Sequence, residues 1–258
     1  MHVVKRELPA DLSELYITVF ADEHIGDPLS NHAALKARIE KVRTTPNLYA
    51  ILNGDLMNNA TKTSVSDTYA EAMPPQRQLD MLVELFTPIK DKILCITPGN
   101  HEQRTYIKEG IDLTAVLASR LGLLDYYAPT AAYMFLRFGQ DVKNHRSEKI
   151  TYTFYITHGR RGGRTVGSKM NALADLRNII EADVYIHSHT HLPAILKQPQ
   201  LKVNVRTRKI VPYDALFINT AANLEFGGYG ETFEYAPAST VTPLIYLSGR
   251  HKEANGRL

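Results

Sequence analysis

A single cysteine, Cys95, stands among the 258 residues of this chain. That scarcity excludes an intramolecular disulfide and any cysteine-rich zinc site, and it suits a reducing compartment, with the cytoplasm as the simplest expectation. Long apolar runs are missing too. Nothing approaches the roughly 18 to 20 residues that a membrane helix needs, and the first apolar stretch, Leu15 to Ala21, lies behind Asp11 and Glu14. Neither a signal peptide nor a membrane anchor is expected. Charge of one sign is also in short supply. The 30 Lys and Arg against 27 Asp and Glu leave a formal +3, which permits an anionic substrate but is too small to imply nucleic-acid binding by itself. There is no internal repeat and no low-complexity tract. With 44% hydrophobic and 22% charged residues, the composition is that of an ordinary globular protein. The length fits a single domain spanning 1–258.

Short β-branched runs at Leu15–Ala21, Leu48–Asn53 and Lys92–Thr97 read as three buried parallel strands. Between them, Leu35, Ile39 and Val42, then Leu79, Leu82, Val83 and Phe86, recur at helical spacing and give β-α-β crossovers. Further helices are expected over 112–121 and 170–181, and further strands over 133–138, 151–157 and 184–187. Beyond Pro193 the chain becomes mostly extended, near 201–206, 215–219 and 244–247, with Gly227, Gly228 and Gly230 as turn signals. The polar stretch from Met57 to Gln78 is the longest loop, either a lid or a connector.

Metal-capable residues follow these strands. Asp22-Glu23-His24-Ile25-Gly26-Asp27 comes after the first, Gly54-Asp55 after the second and Gly99-Asn100-His101-Glu102 after the third; His158-Gly159 and His187-Ser188-His189-Thr190-His191 come later. Carboxylate and amide oxygens mixed with imidazole nitrogens, without thiolates, suit an open site for divalent ions rather than a closed structural zinc site. Strand ends are where α/β proteins keep their sites. Glycine beside each cluster lets the backbone reverse tightly.

In this order the clusters resemble the calcineurin-like metallophosphoesterase superfamily, with its pattern D-x-H, G-D, G-N-H-[ED], H and G-H-x-H. The likeness covers roughly residues 15 to 195, and Ser188 stands where the last motif has glycine. Within that superfamily the chain looks most like prokaryotic and phage members of DNA-repair-exonuclease type. The resemblance implies a four-layer α/β/β/α sandwich. It implies two divalent ions, one held by Asp22, His24 and His191 and the other by Asn100, His158 and His189, with Asp55 bridging both. Manganese is the first choice, with Fe²⁺, Zn²⁺ and Ni²⁺ as alternatives. A metal-bridging hydroxide would attack phosphorus and His101, not a ligand, would act as general acid. Asp27 and Glu102 could orient ligands by hydrogen bonding.

Other residues carry less. Arg160, Arg161 and Arg164 could clamp phosphate or belong to a solvated loop. Asn58 and Asn59 follow Asp55 closely and either contact substrate or serve as turn residues, the latter favoured, and Cys95 reads as core. His187 reads as the last residue of its strand. His2, His32, His145 and His251 read as surface residues. The aromatics in Phe226–Tyr229 and Phe233–Tyr235 read as packing residues rather than base-stacking ones. The expected activity is hydrolysis of a phosphodiester, in DNA or RNA or elsewhere. The alternatives are a phosphomonoesterase, a hydrolase of a non-phosphate bond, and a non-catalytic scaffold of the same fold. Oligomeric state is open.

Overall fold

The computed structural model describes residues 2–62, 64, 68–140, 149–160, 162–205, 207–232, 234, 236–237 and 239–258. His145, Arg161, Phe233 and Tyr235, and part of the 57–78 loop, lie outside the described residues. Two β-sheets face one another. The first runs β11(Ala254–Arg257), β10(Leu244–Ser248), β2(Glu14–Phe20), β3(Leu48–Asn53), β4(Ile93–Thr97), with β2, β3 and β4 parallel. The second runs β1(His2–Glu7), β5(Ala132–Phe138), β6(Ile150–Ile156), β7(Val184–His187), β9(Lys209–Asn219), β8(Ala194–Asn204).

Alternation along the strands decides what each face covers. Leu15, Ile17 and Val19 of β2 meet Met134, Leu136, Phe154, Ile156, Val184 and Ile186 in the core between the sheets. The outer face of the first sheet is covered by α1(His32–Thr44), α2(Pro75–Phe86) and α4(Leu113–Leu121) through Leu35, Ile39, Leu82, Phe86 and Leu117. On the second sheet Tyr155, Tyr185 and Phe217 lie under Leu173 of α5(Val166–Ala174) and Leu176. Helix, sheet, sheet and helix therefore make the four layers. Each fully buried side chain in these cores contributes about 1.5–3 kcal/mol by leaving water.

The helix expected at 170–181 begins earlier. Thr165 caps it by accepting from Ser168 N at 3.2 Å, and the α-helical stretch stops at Ala174, tightening to a 3-10 turn over Asp175–Asn178. The apolar stripe of Leu173, Leu176 and Ile180 thus runs from an α-helix through a 3-10 turn into the segment beyond it. Cys95 sits in β4 with no exposed surface, and burial pushes its thiol up to about 12. An unhindered thiol reagent at neutral pH should therefore titrate no cysteine in the native protein and one after denaturation. Rapid native labelling would contradict this core.

Candidate metal centre

Five strands end on the same side. Asp22 and His24 follow β2, Asp55 follows β3, His158 follows β6, His189 and His191 follow β7, and Asn100 and His101 open α3(Asn100–Glu109) just after β4. To bring each side chain back over the strand ends, the backbone turns into the left-handed region at Asp22 (φ 53°), His24 (46°), Asp55 (49°), His189 (66°) and His191 (54°). Such conformations cost of order 1–3 kcal/mol each and persist only when the surroundings enforce them.

The enforcing groups are visible. Glu102 accepts from Asp55 N at 3.0 Å, Met57 N at 2.9 Å and Gly99 N at 2.9 Å, so one carboxylate brackets the loops after β3 and β4. Those loops touch. A Cβ on Gly54 would stand 2.3 Å from Gly99 N, and a Cβ on Gly99 would stand 2.1 Å from Asp55 Oδ1. Ser188 strengthens the same region, because its buried hydroxyl accepts from Asn53 Nδ2 at 2.7 Å.

Asp22 and Asp55 are 0% and 1% exposed. One oxygen of each is held by a backbone N–H: Asp22 Oδ2 by His189 at 3.1 Å, Asp55 Oδ1 by His101 at 2.8 Å. The other faces imidazoles. His191 Nε2 is 3.1 Å from Asp22 Oδ1, with His158 at 3.9 Å and His24 at 4.0 Å; His158 Nε2 is 3.1 Å from Asp55 Oδ2, with His101 at 3.8 Å. Among the described residues, three sets have donor atoms within 4.8 Å of one another: Asp22, His24 and His191; Asp55, His158 and His189; His24, Asp55 and His101.

The donor atoms are poorly satisfied by the protein itself. His24 Nε2 and Asn100 Oδ1 are buried and make no hydrogen bond, and buried His158 Nε2 has only its 3.1 Å ion-pair contact with Asp55 Oδ2. A buried polar atom without a partner costs about 1–3 kcal/mol. His158 Nδ1 meets Asn53 O at 2.7 Å, and since a carbonyl only accepts, that nitrogen carries a hydrogen and Nε2 is the atom that faces Asp55 and becomes a donor to a cation when it gives up its proton. These residues fit divalent cations.

Charge points the same way. Burial favours neutral Asp22, but His191 and His158 outweigh it and bring the group to about 2. Burial likewise opposes ionised Asp55, yet His158 and His101 hold it well below the usual range. Burial would lower His158, but Asp55 and Asp22 raise it to about 10. His189 falls to about 4 through burial and the nearby His158 charge, and burial with His101 drives His24 well down.

Some residues named from sequence have structural tasks. Asn58 Nδ2 donates to Glu71 at 2.9 Å, and Asn59 Nδ2 donates to His101 O at 2.7 Å and Thr105 at 2.9 Å. His187 meets Asn219 Oδ1 at 2.8 Å, and Asp27 accepts locally from Leu29 N. Arg160 is exposed and hydrogen-bonds Gln103, while Arg164 is exposed. The sequence reading missed Arg104, whose guanidinium lies 2.9 Å from His101 Nε2. Its spacing was the signal, because three residues along a helix share a face.

A four-layer fold with a buried cluster of carboxylates and imidazoles at its strand ends defines a metal-site hydrolase architecture. The family model for calcineurin-like phosphoesterase matches residues 15–193, and the chain belongs to that family of hydrolases of phosphoric esters. Solved structures similar to it include vacuolar protein sorting 29 from Cryptosporidium parvum (12% identity, 95% of this chain and 96% of that one, TM-score 0.43). A metallophosphoesterase from Sphaerobacter thermophilus gives 12%, 95%, 87% and 0.40 for the same measures. A predicted phosphoesterase from Streptococcus pneumoniae gives 13%, 95%, 98% and 0.38. No curated protein matches the chain significantly.

At neutral pH the metal-free His158 carries a proton, and a coordinating imidazole must be neutral. Divalent-cation affinity should therefore rise from about pH 6 to about pH 9, with about one proton released through this residue. Calorimetry in buffers of different ionisation enthalpy measures that release. Affinity indifferent to pH would remove His158 from the ligand set.

Proposed function

We propose that the chain is a dinuclear metal-dependent phosphodiesterase acting as one domain in the cytoplasm. The observation that carries this reading is the buried donor set with orphaned Nε2 and Oδ1 atoms. Asp22, His24 and His191 would hold one cation, Asn100, His158 and His189 the other, and Asp55 would serve both. Oxygen and imidazole donors without thiolate make Mn²⁺ our first assignment. The chemistry divalent cations supply at such a cluster is Lewis acidity towards phosphoryl oxygens and a lowered pKa for water.

His101 is the proton donor rather than a ligand. Its Nδ1 is fixed by Asn58 O at 2.6 Å, so Nε2 is the atom that exchanges protons. In this structure Nε2 accepts from Arg104, and burial lowers the ring's proton affinity. An arriving phosphoryl group draws the Arg104 guanidinium to its oxygens, freeing Nε2 to take a proton from solvent beside the Asp55 carboxylate and to deliver that proton to the leaving oxygen. One guanidinium at this point matches the single charge of a diester. Glu102 acts indirectly, keeping Asp55 and Gly99 in place.

Purified protein supplied with Mn²⁺ should cleave a chromogenic phosphodiester faster than the matching monoester, and single- and double-stranded DNA identify a nuclease. Asp55→Asn should lower turnover on the order of 10³-fold, ~4 kcal/mol of barrier, together with metal content. A fully active Asp55→Asn protein would sink the scheme. His101→Asn should cost about 10²–10⁴-fold in kcat with bound metal unchanged. Monoester preference would reassign the substrate, and silence on all of these with metal bound would favour the scaffold reading.

A further inference from the structure

The hairpin of β8 and β9 outruns the sheet that carries it. β7 pairs with β9 only from Leu216 to Asn219, whereas β8 and β9 stay paired out to Asn204 and Lys209. The projecting ribbon has two unlike faces. On one, Tyr213 bonds Gln200 across the ribbon itself, while Lys202 bonds Glu181 and Arg177 bonds Gln198 at 2.9 Å, and these last two links tie the ribbon to the body below α5.

The other face continues the core between the sheets. Ile218 and Leu216 belong to that core, and residues at every second position beyond them, with their partners across the ladder, share its side. Over Ile195 and Ile218 the layer is closed by β11, where a Cβ on Gly256 would meet both side chains, and Lys197 reaches Asn255 at 2.7 Å. Past that edge Pro199, Leu201, Val203, Ile210 and Pro212 present one apolar surface, extended by Val205 in the turn. Leu201, Val203, Val205 and Ile210 are 75%, 64%, 83% and 67% exposed. A contiguous patch of this kind marks an interface.

We propose that this ribbon face is a homodimer interface, occupied by the same face of a second copy related by a two-fold axis. Three observations select that occupant. Leu201, Val203, Val205 and Ile210 are each 64–83% exposed, and a two-fold axis doubles the apolar surface they remove from water, which is how a patch of one ribbon approaches the roughly 1,000 Å² of a specific interface. The ribbon's tip carries Arg208, and at its base on the apolar face Asp214, with its side chain 55% exposed, stands 3.9 Å from Lys197 of the same ribbon, so antiparallel ribbons set each tip guanidinium towards a carboxylate that is still open to it. The prolines settle face against edge. Leu216 N donates to Asp183 O at 2.9 Å, so alternate β9 residues including Pro212, and their β8 partners including Pro199, direct the backbone nitrogen out of the hairpin ladder. Pro199 therefore interrupts the free edge of β8 and blocks strand addition there, leaving the face as the contact.

The test is sedimentation velocity on the full chain over about 1–100 µM, with and without chelator, since dimerisation does not depend on the metal reading. The wild type should show a concentration-dependent dimer. Leu201→Asp with Ile210→Asp should weaken it about 100-fold or more while circular dichroism stays unchanged, because both side chains are exposed. Val211→Asp, on the opposite face, should leave it intact. A wild-type chain that is monomeric throughout overturns the proposal, as does a dimer indifferent to the double variant. A monomer that co-sediments with phosphatidylglycerol vesicles, and loses this in the double variant, overturns it in favour of a lipid surface.

Discussion

Two buried carboxylates with imidazoles as their ion-pair partners govern the top of this molecule. Asp22 and Asp55 lie out of water, where an uncompensated negative charge would cost several kcal/mol. Their compensation comes above all from His158, whose proton both carboxylates stabilise. That choice of partner matters chemically. A lysine or arginine would neutralise the acids permanently, whereas an imidazole gives up its proton and becomes a donor itself. A cluster of this composition gives up a proton where it takes a divalent cation.

The framework is expensive and has to be rigid. Left-handed backbone at five donor residues runs against local preference, so the stability of the two-sheet core underneath sustains the site. Glu102 does the nearest part of that work. Its buried carboxyl is pushed up by burial and by the Asp55 charge, and three backbone N–H groups oppose that tendency. Gln78 supports the adjoining loop in the same way, accepting from Asn59 N at 3.0 Å and donating to Met73 O at 2.9 Å.

Much of this was legible in the chain. The strands at 48–53 and 184–187 have the bounds their apolar runs suggest, because buried parallel strands are continuous hydrophobic stretches. The donor clusters were visible because each follows such a stretch. Elements without an apolar run were not. β1 buries only Val4 among His2–Glu7, and α3 buries only Glu102, so neither has a stripe to read. The projection of β8 and β9 was hidden for a related reason: their outer halves are apolar on one side, as a buried strand would be, and nothing local says that the covering layer has ended. Arg104 escaped notice because its helix did.

The placement of β2 bears on how the chain reaches this state. It is the first strand of its sheet in sequence, yet it is flanked by β3 on one side and by β10 on the other, with Ile17 opposite Ile245. The sheet beneath the donor loops thus closes only when segments from opposite ends of the sequence meet. Such long-range pairing requires the entropy of a very large loop to be lost before any hydrogen bond repays it, and it slows the search for the native arrangement. While it waits for β10, β2 keeps an open edge. A nascent chain of this topology is therefore exposed to strand-mediated association from the time β2 emerges until Leu244–Ser248 can pair with it.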